Sequence, residues 1–402
     1  MPTPAPTAHV TPRRVLPVIV VAQLLGTSPW FAVNAVMPDL RAAYGWPANA
    51  VGTLSSALQL GFIVGTLVFA LLAIADRLPA RRVFLVCALA ASACTLAAAA
   101  SAESYGALVG WRVATGFFIA GIYPVGMKIA AQWFPRGLGA ALGWLVGALV
   151  LGSASAHALR ALVAAGAGLS WQAVFVAVAA LSATAGLAMV LLVPEPAQLA
   201  RPGAGPGLRF GALTSIWRDA RVRASAFGYF GHMWELYTLW VLMPALLATR
   251  LASSVAVSGW AFATLGAGAI GCIGGGLLAR RHGSARVAGV QLAISGMCCL
   301  AAPWLLQAPL PVFLAWLLLW GVTVAGDSPQ FSALTAANAP PLAMGSVLTL
   351  VNSIGFAISA LSIELFVRAV EAGGFANVLP WLGLGPMLGL IALRPLLRRR
   401  AA

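Results

Sequence analysis

Two acids stand where the surrounding residues are almost all apolar, and each has neighbours able to share its proton or its charge. Glu235 lies in "GYFGHMWELYTLW" (228 to 240), one helical turn after His232. At 3.6 residues per turn, Tyr229, His232, Glu235, Leu236, Leu239 and Met243 fall on one broad helical face. A carboxyl group held away from water can carry a proton, and an imidazole beside it can tune or share that proton. The alternative is a hydrogen bond or ion pair that locks two helices. Asp327 lies in "GVTVAGDSP" (321 to 329), inside an apolar run from Leu310 to Leu334, with Pro329 two residues later. It reads as a cation partner or proton carrier, against a purely structural pairing.

Two bases complete the set. Arg112 shares a helical face with Thr115, Gly116, Ile119, Tyr123 and Met127. Its guanidinium suits an anionic group on a solute or the ionisation of a nearby acid, against simple anchoring at the interface by snorkelling. Lys128, the one lysine in the chain, lies about 160° around from Arg112 and can pair with Asp327 or reach the cytoplasmic interface. "GTSPWFAVN" (26 to 34) offers Ser28, Trp30 and Asn34 to a solute cavity, although Trp30 serves equally as a packing aromatic. His157 and Arg160, and Glu364 and Arg368, read as an outer-side network or as snorkelling side chains.

Composition says what must position these residues. Of 402 residues, 61% are hydrophobic and 8% charged, with a mean hydropathy of +0.93; a soluble domain carries about 25% charged residues. Lipid is the expected solvent. Twelve apolar runs are each long enough to cross about 30 Å of hydrocarbon as a helix. They span 15–37, 50–75, 83–102, 105–134, 138–165, 171–193, 223–249, 255–279, 284–306, 310–337, 342–369 and 375–397, and are called segments one to twelve. The expected fold class is an all-α polytopic membrane protein, since a barrel shows short alternating strands rather than long apolar runs. A charge at the bilayer centre costs about 2.5–3.5 kcal/mol and each Leu, Ile, Val or Phe returns about 0.3–0.6, so a span tolerates one charge.

The first run is too long for a signal-peptide core and has no small-residue cleavage site before Asp39, so it is expected to remain. The formal charge of +15 follows membrane sidedness rather than nucleic acid. With the amino terminus inside, that side holds Arg13, Arg14, Arg77, Arg81, Arg82, Arg136, Arg201, Arg209, Arg218, Arg221, Arg223, Arg280, Arg281, Arg286, Arg394, Arg398, Arg399 and Arg400. The other side keeps Arg41, Arg160, Arg250 and Arg368. Both termini are then cytoplasmic. Cys87, Cys94, Cys272, Cys298 and Cys299 all fall inside spans, so no disulfide framework is expected.

The chain also repeats itself. "GFFIAGIYP" (116 to 124) in segment four matches "GVTVAGDSP" in segment ten at an offset of 205. "MP" closes segment one at Met37–Pro38 and segment seven at Met243–Pro244. "ADRLPARR" (75 to 82) after segment two answers "ARRHGSAR" (279 to 286) after segment eight. The expected organisation is a tail at 1–14, a six-helix bundle at 15–193, a linker at 194–222 with a surface helix near "LTSIWRDARVR", a second bundle at 223–397 and a tail at 398–402.

Two six-span halves, each with a basic turn between its second and third spans, resemble the major facilitator superfamily. The family's loop pattern is matched by Asp76, Arg77, Arg81 and Arg82, with Leu72 and Pro79 where glycines are usual, and by Gly276, Arg281, Gly283 and Arg286 in the second half. Leu108, Arg112 and Gly116 match its segment-four pattern. The fifth-segment antiporter pattern, a Gly-Pro pair, is absent from "GWLVGALVLGSASAHALRAL" (143 to 162), which speaks against proton-exchange drug export. The resemblance implies two pseudo-symmetric six-helix bundles that rock about a midplane site lined by segments one, four, seven and ten.

On that basis Trp30, Asn34, Arg112, Tyr123, Lys128, His232 and Asp327 are expected in the cavity, and Glu235, Asp327 and Arg112 in proton coupling, with Glu235 leading. Asp76, Arg77, Arg81, Arg281 and Arg286 are expected in gating. The expected activity is proton-coupled uptake of a small polar solute, anionic or zwitterionic, in a bacterial inner membrane, by a monomer that needs no cofactor and binds no nucleic acid. A second possibility is import of a soft metal or small cofactor through His232, Met233, Met297, Cys298 and Cys299. A membrane enzyme or sensor is the remaining class. No HExxH, GxSxG, GxxxxGK or CxxC stands in the sequence to supply its chemistry.

Overall fold

The computed structural model describes residues 14–47, 49–134, 138–166, 170–195, 208 and 211–398. Arg13, Arg136, Arg201, Arg209, Arg399 and Arg400 lie outside the described residues, as do residues 196–207, 209 and 210 of the expected linker, residues 1–13 and residues 399–402. Among the described residues there is no strand, and every expected segment is helical.

Eight segments are single helices. Segments two, three, five and six are Ala50–Leu71, Ala80–Ala100, Leu138–Ala165 and Gln172–Leu192. Segments seven, eight, nine and eleven are Ala220–Ala248, Ser254–His282, Ser284–Leu305 and Met344–Gly373. The other four are interrupted. Segment one divides into Val15–Gly26, Ala32–Ala35 and Met37–Tyr44, and segment twelve into Phe375–Leu382 and Leu384–Leu397. Segment four divides into Tyr105–Ile119 and Tyr123–Trp133, and segment ten into Leu310–Gly326 and Ser328–Asn338.

With split parts counted together, ten of the twelve are long and apolar enough to cross a membrane. Of the others, segment one is the interrupted one. Segment seven, 29 residues long, is the polar one that carries His232 and Glu235.

Local chemistry sets several helix starts. Ser104, Asp219 and Ser253 stand just before segments four, seven and eight, and their side chains accept from N–H groups of the first turn. The Asp219 cap, with Oδ1 2.7 Å from Arg221 N and 3.1 Å from Val222 N, starts segment seven at Ala220 rather than the expected 223. The surface helix expected near there is Ala212–Arg218, whose exposed Trp217 meets Phe227 edge-on.

The two breaks at "GFFIAGIYP" and "GVTVAGDSP" fall at the same point of the repeat. In each, the glycine of the Ala-Gly pair lies against the third helix of its own half. A Cβ on Gly121 would run into Cys87, and one on Gly326 into Gln291. Packing within the halves repeats as well. Segment four crosses segment two where Gly116 meets the Leu58 carbonyl and Gly65 the Phe117 carbonyl. Segment ten crosses segment eight where Gly321 meets the Thr264 carbonyl and Gly271 the Val322 carbonyl. Backbones come this close only where side chains are missing, the usual device of helix pairs in lipid.

Two long seams join the halves: segment two against eleven, and segment five against eight. In the first, partners run antiparallel as Gly52 with Val367, Ser56 with Ala360, Gln59 with Ser359 and Phe62 with Phe356. In the second, Gly143 lies near Gly276, Gly147 near Ile273 and Gly268 near Val150.

Candidate functional site

The midplane between the halves is filled by rings from both sides. Trp30, in the break of segment one, stacks on Tyr237 of segment seven at 5.5 Å and 22°. It also meets Phe62 at 5.2 Å and Phe356 at 5.8 Å. Phe62 and Phe356 touch across the first seam at 4.6 Å. Phe31 faces Tyr237 at 6.3 Å and Trp240 at 5.9 Å.

Open space lies on both sides of these rings. Toward the ends expected to face outward is a cavity of about 670 Å³ lined by Asn34, Arg41, Trp46, Val241, Pro244 and Val257, so that both halves contribute. Toward the ends expected to face the cytoplasm is a smaller one of about 230 Å³, lined among others by Thr66, Asp76, Lys128 and Thr349.

His232 and Asp327 come together beside the rings. Nδ1 lies 2.7 Å from Oδ1, and both side chains are fully buried. The contact is an ion pair when His232 is protonated, and among the described residues no other side chain donates to the Asp327 carboxylate. Asp327 links the two parts of segment ten, where the break places its side chain against segment seven. Tyr229, 5.7 Å from the His232 ring, is within electrostatic reach of Asp327 and of Tyr123 from the other half. Phe331 closes the far side of His232 at 6.3 Å.

Glu235 is placed differently. Its carboxylate accepts from Trp320 Nε1 at 2.5 Å, Ser295 Oγ at 3.0 Å and Cys299 Sγ at 3.2 Å. All three donors belong to segments nine and ten, so Glu235 points into its own bundle and not toward the ring-filled seam. The expected pairing with His232 on a shared face is not formed, because buried segment seven has partners all round and its faces go to different neighbours.

The two bases are committed. Arg112 donates to the Trp30 carbonyl at 2.6 Å, the Pro29 carbonyl at 3.2 Å and the Leu54 carbonyl at 3.4 Å. These carbonyls are left free by the break in segment one or lie on segment two, so Arg112 holds the backbone that carries Trp30. Lys128 does not pair with Asp327. It pairs with Asp76 and donates to the Ala75 carbonyl at 2.5 Å, because its side of segment four meets the turn after segment two.

Of the other expected gating residues, Arg81 caps the end of segment six, donating to Val193 and Val190 carbonyls at 2.7 and 3.1 Å and to Glu195 at 3.0 Å. Arg77, Arg281 and Arg286 are exposed at the helix ends expected to face the cytoplasm. Asn34 donates to Ser55 at 2.8 Å and leaves its carbonyl oxygen unpartnered at the outer cavity. Tyr123 opens the second part of segment four, 6.5 Å from Phe62. On the outer side Arg160 grips Asp39 through two bonds of 2.8 Å, Arg368 pairs with Glu364 at 3.3 Å, and His157 is buried against Phe31. The soft-metal residues are not gathered: Met297 is exposed to the outside, Cys299 bonds Glu235, and His232 meets Asp327.

Sequence reasoning missed Phe31, Phe62, Tyr237, Trp240 and Phe356. One signal was available. Phe31 and Tyr237 stand 206 apart, the same offset as Met37 and Met243, so they are repeat partners that meet where the two halves face each other.

The Major Facilitator Superfamily family model matches residues 19–363. A "Chloramphenicol resistance protein" of Streptomyces lividans is 32% identical over 190 residues, covering 46% of this chain and 46% of that protein. The chain thus spans under half the length of that relative. Among solved structures, the human organic anion transporter MFSD10 (TETRAN) superposes with a TM-score of 0.72 at 18% identity, over 95% of this chain and 99% of that one. A bacterial homolog of the human lysosomal transporter Spinster, inward-facing and unoccupied, gives 0.73 at 15% identity, over 98% and 99%. At such identities the likeness is one of fold.

Proposed function

The chain belongs to the major facilitator superfamily, and from that premise we propose that it is a proton-coupled secondary transporter in which His232 and Asp327 carry the coupling proton. Fold and family make it a multi-pass membrane transporter. The finer reading rests on one observation: a buried base and acid, 2.7 Å apart and with no other side-chain partner among the described residues, at the break of a helix beside the seam between the halves. An acid so placed gains or loses its proton only when the surroundings open, which links protonation to rocking of the halves. Glu235, with three donors inside one bundle, serves as a brace in this reading. Asp76 with Lys128 ties the turn after segment two to segment four beside the cytoplasmic cavity and acts in gating.

The proposed direction is export, favoured by the name of the Streptomyces relative. Uptake with a proton is the second reading, favoured by segment five, an unbroken helix over Leu138–Ala165 without the Gly-Pro pair of exchangers. The proposed setting is a bacterial inner membrane with the Arg-rich helix ends in the cytoplasm.

Reconstituted vesicles decide between the readings whatever the orientation of the inserted protein. Ethidium, a permanent cation, and neutral chloramphenicol serve as probes. Exchange predicts accumulation in vesicles with an acidic lumen, and joint movement predicts it with an alkaline lumen. Accumulation that ignores the pH gradient contradicts proton coupling.

A further inference from the structure

The aromatic seam has a composition that bears on what it can hold. Three rings of the first half, Trp30, Phe31 and Phe62, face Tyr237, Trp240 and Phe356 of the second, and Tyr123 stacks behind Phe62. These contacts bridge bodies that must separate for solute to pass, so each opening exposes ring faces that then lack partners. A planar aromatic guest restores those contacts, whereas a small polar solute leaves them wet.

Charge in the same region is one-sided. Arg112, the buried cation nearest Trp30, spends its donors on three backbone carbonyls, and Lys128 is held by Asp76 at the cytoplasmic end. The acid near the seam, Asp327, has no side-chain donor among the described residues but His232, which is on its own half. Tyr229 connects the acid to the ring cluster, its ring 5.7 Å from that of His232 and packed against Gly355, the neighbour of Phe356. Along segment seven, the rise from His232 to Tyr237 is about 7.5 Å, roughly the length of a fused two-ring system.

We propose that the seam is a binding site for a planar aromatic solute, neutral or singly cationic, which replaces the Trp30–Tyr237 stack and turns any positive charge toward Asp327. This rests on the transport reading above, and it turns away from the anionic solute that Arg112 and Lys128 suggested as bare sequence. Arg112 is then a positioning residue that sets Trp30 through its backbone. Negatively charged aromatics are disfavoured because they approach the Asp327 carboxylate, while buried Arg112 is held by backbone carbonyls and Arg41 stands apart at the exposed rim of the larger cavity.

Equilibrium binding to the full-length purified protein in lipid nanodiscs, with no pH gradient, tests the site separately from coupling. The probes are ethidium, chloramphenicol, benzoate and tetramethylammonium. Ethidium is expected to bind at least about tenfold more tightly than benzoate or tetramethylammonium, with chloramphenicol also binding. Trp30→Ala should weaken ethidium and chloramphenicol about tenfold, while Trp30→Phe keeps most of the affinity. Asp327→Asn should weaken ethidium and leave chloramphenicol within about twofold.

Benzoate binding as tight as ethidium overturns the proposal, as does tetramethylammonium equal to ethidium, or no binding of either aromatic probe up to about 1 mM. Should Trp30→Ala fold poorly, the ranking on the unaltered protein still decides. Loss of gradient-driven accumulation with binding intact would fail the coupling reading alone.

Discussion

Asp327 and Glu235 are acids of the same buried bundle with opposite surroundings. Glu235 satisfies three donors, so removing it strands the buried Cys299 and Trp320 groups, while Ser295 can turn to the Leu292 carbonyl. Glu235→Ala is expected to cost about 2–4 kcal/mol and to lower the melting temperature clearly. Glu235→Gln keeps an acceptor for Cys299 and Trp320 and a donor for Ser295, so it should melt near the unaltered protein and keep gradient-driven transport. A well-folded Glu235→Gln protein without pH-driven transport would return the proton to Glu235.

Asp327→Asn removes the proton carrier proposed at the break. It is expected to lose gradient-driven accumulation of neutral chloramphenicol by at least about tenfold while still binding it. At this scale the sequence marked the right polar residues and left their partners undetermined. Lys128 and Asp327 are opposite in charge, but which turn meets which helix depends on how segments cross, and Lys128 faces Asp76 instead.

At the scale of elements, the glycines at helix crossings repeat between the halves. A Cβ on Gly116 would overlap the Leu58 carbonyl and one on Gly321 the Thr264 carbonyl, and neither backbone can yield as a side chain can. Gly116→Ala and Gly321→Ala should each destabilise by about 1–3 kcal/mol, read as a fall in melting temperature. Gly110→Ala and Gly259→Ala have open space around the new methyl and should melt at or above the parent, since alanine favours helix. Equal melting of all four would mean that the crossings are not this tight.

The breaks in segments four and ten were legible because the same glycine, Ala-Gly and proline recur at an offset of 205. The breaks in segments one and twelve were not. No repeated signal marks Thr27–Phe31 or Gly383, and Pro244, the counterpart of Pro38, lies inside an unbroken helix. A proline shows that a helix is free to bend, and its neighbours decide whether it does.

For the whole molecule, twelve helical segments and two halves could be read from apolar runs and a repeat. The ring-filled seam could not, because its members come from segments one, two, four, seven and eleven and meet only when the halves dock. Rocking of those halves about the rings is the central claim. Near the outer end of the first seam, a Cβ on Gly52 would stand 3.4 Å from Val367 Cβ, close to the spacing of a disulfide. The five native cysteines are buried and unpaired, so they should not compete.

The most direct measurement is therefore ethidium transport by a Gly52→Cys, Val367→Cys protein in vesicles, before oxidation, after it, and after reduction. Rocking predicts that oxidation stops transport, while reduction restores it and each single substitution transports throughout. Undiminished transport by the fully cross-linked protein would contradict the account, because solute would then be crossing without the halves coming apart.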